Sequence, residues 1–250
     1  MGFHCGRFFW SVRSLSACGN GHEPEFPLVP SPVSCYNAGQ SQWRGGAEVQ
    51  LICLGDSLTF GYGVRRSQRW TELAARELGV EVVNCGVNGD TTGGMLARLD
   101  RDVLGRCPQL SWRGRTAVLV TGGTNDIFYS GSDVAARSNL GAIVHQLAAL
   151  GLRVAVGAPL PVAPERTPEG WRAAVDFAGA WVVLEGYRSW LRGFCSGFGV
   201  PLVPFDLDFL DGQGAAVPEL LLDGIHPGPQ GHRRMADRCV TWFRQQMEGR

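Results

Sequence analysis

The chain contains no lysine: all 23 of its basic residues are arginine, balanced by 23 acidic residues to a formal net charge of zero. The arginines are scattered rather than gathered into a patch or tail, which removes the one-sided basic footprint that DNA or RNA binding requires. No nucleic-acid partner is expected, and the missing lysine is read as coding bias. Eight cysteines are present without a single C-x-x-C pair, which excludes zinc-ribbon and thioredoxin readings. No stretch approaches the ~20 continuous apolar residues of a spanning helix, so no stable membrane span is expected. Cys53, Cys85 and Cys107 lie in or beside apolar segments, and Cys195 and Cys239 fall in helical patterns. Buried free thiols behave as small hydrophobes, and this placement favours a reducing cytoplasm over a disulfide framework.

What is present suffices for one domain with a sizeable core: 250 residues, 44% of them hydrophobic. Residues 1–46 differ from the rest, being rich in Gly, Pro and Ser and showing neither helical nor strand periodicity. They are expected to be a disordered extension or the product of a start assigned too far upstream, with the domain occupying residues 47–250. Leu15-Ser16-Ala17-Cys18 has the form of a lipoprotein cleavage box. Such a box should follow an unbroken apolar run of about 7–15 residues, and Ser11 and Arg13 interrupt the one that Phe8-Phe9-Trp10 begins. Export or anchoring through Cys18 is therefore the alternative to a cytoplasmic location.

From Val49 onward, apolar strand-like runs alternate with helical ones, as in a parallel sheet flanked by helices. Strands are predicted over residues 49–54, 80–84, 117–121, 152–157 and 201–203, and helices over 70–78, 92–103, 134–150, 171–198 and 230–247. Near-continuous apolar strands fit a sheet covered on both faces. Thr91 or Thr92 is placed as an N-cap, and Gly151 as the stop of the helix that carries Ile143, Leu147 and Leu150. Right-handed crossovers then give a three-layer α/β/α sandwich with a five-stranded parallel sheet in flavodoxin-like order 2-1-3-4-5. Two long connections, 158–170 with four prolines and 206–229, are candidate walls of a site.

Gly55-Asp56-Ser57-Leu58-Thr59 directly follows the first strand, where open α/β sheets bind ligands. Asp223-Gly224-Ile225-His226-Pro227 offers from one tight turn a base and the carboxylate to orient it. The corresponding roles are Ser57 as nucleophile, His226 as general base and then acid, and Asp223 as orienter and stabiliser of the imidazolium. A tetrahedral intermediate also needs preorganised donors. The loop Gly86-Val87-Asn88-Gly89-Asp90-Thr91-Thr92 offers the Gly89 N–H, and Gly122-Gly123-Thr124-Asn125-Asp126 offers the Asn125 side chain. Each motif alone reads as ordinary turn punctuation. Their joint occurrence, on loops that open at one end of the predicted sheet, points to a serine hydrolase.

The ordered blocks Gly-Asp-Ser-Leu at 55–58, Gly89, Gly-x-Asn-Asp at 123–126 and Asp-x-x-His at 223–226 resemble the SGNH/GDSL hydrolase family, over the chain from Val49 to its end. Asn-Gly-Asp-Thr-Thr at 88–92 and Asp-Gly-Ile-His-Pro at 223–227 resemble its bacterial thioesterase I/arylesterase-like lysophospholipase branch. The resemblance implies no metal or cofactor, a small acyl-ester substrate, and an oxyanion hole made by the N–H groups of Ser57 and Gly89 with the Asn125 side chain. Many members of that branch are exported, whereas this chain lacks a well-formed signal peptide, so a bacterial cytoplasmic enzyme is the expectation. Because position 59 is threonine, the motif is not the G-x-S-x-G elbow, and a more open site with broad ester and thioester tolerance is expected.

His232 is assigned to the surface or to capping at the start of the last helix, since its spacing from His226 fits no zinc-binding helix. His145 is expected to be half-buried. Asp56 and Asp126 are expected to brace their loops by hydrogen bonds. The aromatic run Trp181, Tyr187, Trp190, Phe194 and Phe198 is assigned to core packing, with part of it available for an acyl pocket. The reading is a cofactor-independent esterase or thioesterase. Its rivals are a carbohydrate O-acetyl esterase with the same machinery and a non-catalytic ligand-binding module on the same fold.

Overall fold

Residues 49–107 and 115–248 are described by the computed structural model; the expectations for residues 1–46, including Cys18, lie outside the described residues. The apolar runs become strands β1 (Gln50–Gly55), β2 (Glu81–Gly86), β3 (Thr116–Thr121), β4 (Arg153–Gly157) and β5 (Leu202–Val203). They pair in parallel in the order β2-β1-β3-β4-β5, as predicted. Strands β1 and β3 are buried along their whole length because they occupy the middle of the sheet and both faces are covered. Side chains alternate between faces. Ile52, Leu54, Val118 and Val120 enter one core, and Leu51, Cys53, Ala117 and Leu119 enter the other.

The helices are α1 (Ser57–Phe60), α2 (Trp70–Leu78), α3 (Thr92–Ala97), α4 (Leu99–Asp102), α5 (Thr124–Ser130), α6 (Val134–Ala149), α7 (Glu169–Arg172), α8 (Phe177–Phe198) and α9 (Pro229–Glu248). Helices α2 and α9 supply Trp70, Ala74, Met235, Cys239 and Phe243 to the second core. The first core takes Met95 and Leu99 together with the inner faces of α6 and α8. The result is the three-layer α/β/α sandwich.

Two predicted helices are interrupted. The 92–103 run breaks at Arg98, which leaves helical geometry at φ −103° and ψ 8°. The 171–198 run breaks between α7 and α8, where the Asp176 side chain accepts from Gly179 N–H and caps a new helix. Helices α1 and α5 were not foreseen, since each begins within three residues of a strand end. Thr91 does cap α3, its hydroxyl accepting from Gly94 N–H at 3.2 Å, and Gly151 follows α6 at φ 76°. The parallel strands all present their carboxyl ends at one edge, and the loops leaving that edge carry every candidate site residue.

Candidate active site

Asp56 ends β1 and caps α1, its Oδ1 accepting from Leu58 N–H at 2.9 Å. That cap places Ser57 at the first position of the helix, where its own N–H has no intrahelical acceptor. Helix α1 lies tight against β2: a Cβ on Gly86 would come within 2.1 Å of the Phe60 backbone nitrogen, so only glycine fits there. Asn84 strengthens the junction, its side-chain NH₂ donating to Thr59 O at 2.7 Å and to Thr71 Oγ1 at 2.9 Å. On the other flank Trp70 Nε1–H donates to Leu58 O at 3.0 Å.

The turn after residue 220 brings the second half of the site. Leu222 N–H donates to His226 O at 2.7 Å, closing the loop that holds Asp223. Asp223 Oδ1 accepts from the backbone N–H groups of His226 and Ile225 at 2.9 and 3.1 Å. Its Oδ2 lies 2.8 Å from His226 Nδ1, and His226 Nε2 lies 2.9 Å from Ser57 Oγ. An ionised carboxylate only accepts, so Nδ1 carries the proton and Nε2 is left to accept from the serine hydroxyl. Burial pushes the Asp223 carboxyl upward, but the hydrogen bonds from the His226 ring, from its backbone and from Ile225 outweigh it and hold the group below its ordinary value. The structure therefore brings Ser57, His226 and Asp223 into one hydrogen-bonded line.

Gly89 and Asn125 stand on neighbouring loops. Gly89 adopts φ 73°, a left-handed conformation that glycine takes without strain, and its N–H has no acceptor among the described residues. Asn125 donates one amide hydrogen to Asp90 O at 2.8 Å, which leaves the second available. Asp126 accepts from Thr92 N–H at 2.9 Å and from Thr92 Oγ1–H at 2.6 Å, tying the two loops together. The bracing role expected for Asp56 and Asp126 thus holds. Asp56 is the odd one: buried, with Oδ2 unpartnered, its carboxyl is raised to about 7, chiefly by desolvation.

Arg98 is the residue that sequence reasoning missed. Its guanidinium donates to Gly55 O at 2.9 Å, to Cys85 O at 2.8 Å, to Asp90 Oδ2 at 2.8 Å and to Asp102 Oδ2 at 2.5 Å. One cation thereby fastens the ends of β1 and β2 to the Gly89 loop. The only signal in the sequence was an arginine between Leu96 and Leu99, inside an otherwise apolar helical stretch.

Three smaller expectations change. His232 is fully buried rather than at the surface: it sits between α2 and α9, and its Nδ1 accepts from Trp70 N–H at 3.3 Å. The capping role survives in a buried form, on α2 rather than α9, and desolvation lowers the imidazole to about 4. His145 is exposed, with its ring edge-on to Phe194 and Phe198. Within the aromatic run Tyr187 is buried and donates its hydroxyl to Gly122 O at 3.1 Å, bracing the Asn125 loop, while Trp190, Phe194 and Phe198 stack in series along α8 against the first core. Among the described residues no cluster of His, Cys, Asp and Glu could hold a metal ion.

A parallel sheet with a Ser–His–Asp line at its carboxyl edge is the arrangement of a serine hydrolase on an α/β scaffold. The chain belongs to the GDSL-like lipase/acylhydrolase family, whose model matches residues 53–234. It is 29% identical over 193 residues to Esterase TesA of Pseudomonas aeruginosa, covering 75% of this chain and 84% of that protein. Among solved structures, an aryl esterase of M. smegmatis superposes with a TM-score of 0.65 at 20% identity, over 79% of this chain and 99% of its own. A carbohydrate acetylesterase of Sinorhizobium meliloti, Est24, superposes at 0.62 and 20% identity, over 79% and 99%. No helix among the described residues is long and apolar enough to cross a membrane.

Proposed function

We propose that the domain spanning residues 47–250 hydrolyses acyl esters or thioesters by a ping-pong route through an acyl-Ser57 intermediate. The observation that carries this reading is the unbroken line from Ser57 Oγ through both nitrogens of His226 to Asp223, with 2.9 and 2.8 Å steps. Ser57 Oγ attacks the carbonyl carbon as its proton passes to His226 Nε2, and the same nitrogen returns that proton to the leaving oxygen or sulfur. Asp223 holds the imidazole in the required tautomer and stabilises its charged form. The oxyanion is received by the N–H groups of Ser57 and Gly89 and by the second amide hydrogen of Asn125. Water activated by His226 then releases the acid. This arrangement supports catalysis over a ligand-binding module, which has no need of an imidazole poised between a hydroxyl and a carboxylate. The five described cysteines are all free and buried, which supports a reducing cytoplasm as the place of action.

The test is Ser57→Ala on short-chain p-nitrophenyl esters. Loss of the nucleophile should lower kcat by about 10³-fold or more, and equal hydrolysis by the variant and the wild type would sink the assignment.

A further inference from the structure

The arginines are scattered over the sequence as a whole, yet the fold gathers three of them around one groove. A 3-10 turn, Arg66–Gln68, leads into α2. Between the two lies a groove of about 450 Å³ lined by Arg65, Arg66, Ser67, Glu72 and Arg76. That volume is in the range of ligand sites. The five lining residues include no apolar side chain, so the groove does not suit an acyl chain, and three guanidinium groups repel a metal cation.

The groove has a fixed frame and free cations. Arg76 Nη2–H donates to Ser67 O at 2.7 Å, which ties α2 to the turn. Arg65 N–H donates to Gln68 Oε1 at 3.1 Å, which closes the turn itself. Glu72 accepts from Arg66 Nε–H at 2.8 Å, but this is a surface pair, 82% and 36% exposed, and holds only weakly. No carboxylate pairs with Arg65 or Arg76 among the described residues.

A guanidinium fork meets two oxygens of one anion in a plane. A carboxylate has only those two and is satisfied by a single fork. A phosphate group carries up to two charges and directs its oxygens tetrahedrally, so Arg65 and Arg76 can donate to it together while the Ser67 hydroxyl donates to another oxygen. We propose that this groove is a binding site for a phosphate group, separate from the serine site. Tyr62, whose ring lies 4.4 Å from that of His226, stands three residues before Arg65, a span of at most ~11 Å. Gly63 between them packs on the His226 loop, where a Cβ would come within 2.6 Å of Leu222 Cδ1. The groove therefore flanks the opening of the serine site and uses none of Ser57, His226 and Asp223, so it does not depend on the proposed reaction. The phosphate reaches it either on a soluble compound or as a headgroup of a lipid surface.

Two measurements on the full chain separate these sources. Calorimetry with inorganic phosphate and with acetate, at matched ionic strength, reads the first. Sedimentation with phosphatidylcholine vesicles, with and without phosphatidic acid, reads the second. The wild type is expected to bind phosphate at least about tenfold more tightly than acetate, or to sediment with phosphatidic acid and not with phosphatidylcholine alone, or both. The double variant Arg65→Gln/Arg76→Gln should weaken that binding about tenfold or more. Arg65→Gln alone leaves the bond from Arg76 to Ser67 in place, and should weaken binding severalfold without loosening the turn. Arg234→Gln removes an exposed arginine of α9 and should change nothing. Phosphate binding without vesicle binding assigns a soluble ligand, and the reverse assigns a headgroup. Absence of both, binding unchanged in the glutamine variants at 65 and 76, or an equal loss in Arg234→Gln would overturn the site.

Discussion

The loops carrying Ser57, Gly89 and Asn125 are held from beneath by buried charge, whereas the segments bordering His226 from outside are held by backbone hydrogen bonds and carry exposed rings. Beneath the loops, Arg98 joins two strand ends to Asp90, and Asp126 joins two loops through Thr92. Outside, Tyr62 and Trp171 contact His226 from a turn and a four-residue helix. Low-dielectric hydrogen bonds to charged groups are strong and directional, which suits groups that must sit within fractions of an ångström of a reacting atom. Exposed rings on short elements can change without opening the core. The two layers thus differ in what holds them and in how exposed they are.

Breaking the buried layer should cost most at the group nearest the chemistry. Asp223→Asn keeps the shape of the loop but favours the wrong imidazole tautomer. It is expected to lower kcat by about 10³-fold with little change in stability. Steady-state kinetics together with thermal unfolding check both halves. Arg98→Met should act differently, on the fold as well as on the rate. It strips the Asp90 carboxylate, only 11% exposed, of its cation, takes one of two arginines from Asp102, which keeps Arg101, and removes the donors to Gly55 O and Cys85 O. Breaking a pair this buried is expected to destabilise the protein by about 3–5 kcal/mol. Urea unfolding measures it, and a loss within 0–1 kcal/mol, the range of an exposed ion pair, would contradict the role given to Arg98.

The same division explains what could be read from the sequence. Strand order, three-layer architecture and the Ser57–Asp223–His226 set were legible because apolar runs, Gly-rich turns and the Asp-x-x-His spacing are local patterns. Helix α2 was placed to the residue, and in the structure Gly79 stops it in the left-handed conformation. Arg98 was hidden because, apart from Asp102 four residues on, its partners come from β1, β2 and the loop between β2 and α3, and no local period marks those. For the same reason the 92–103 helix was drawn unbroken. His232 was assigned to the surface or to capping of the last helix, and its burial was missed because that depends on the packing of α2 against α9. Tyr62 and Trp171 stand more than a hundred residues apart in sequence, and only the closing of the His226 loop between them gives them a common partner.

The smallest expected effect tests whether the buried layer is optimised for stability or for chemistry. Asp56 is buried beside Ser57 with Oδ2 unpartnered, and desolvation raises its carboxyl to about 7. A raised carboxyl means that the folded protein holds a proton which the unfolded chain releases. Its contribution to stability is therefore complete below the unfolded value near 4 and is lost as pH rises towards 7. Asp223, held low, runs the other way: its contribution is present above the unfolded value and is lost as pH falls through the depressed one. Asp56→Asn keeps the acceptor for Leu58 N–H and removes the charge. Between about pH 4 and 7 the unfolding free energy of the wild type should fall relative to the variant by about 2–3 kcal/mol. Parallel stability curves for the two proteins would show that Asp56 stays ionised in the fold. Convergence at low pH and divergence at neutral pH would show a buried charge kept next to the nucleophile at the expense of stability.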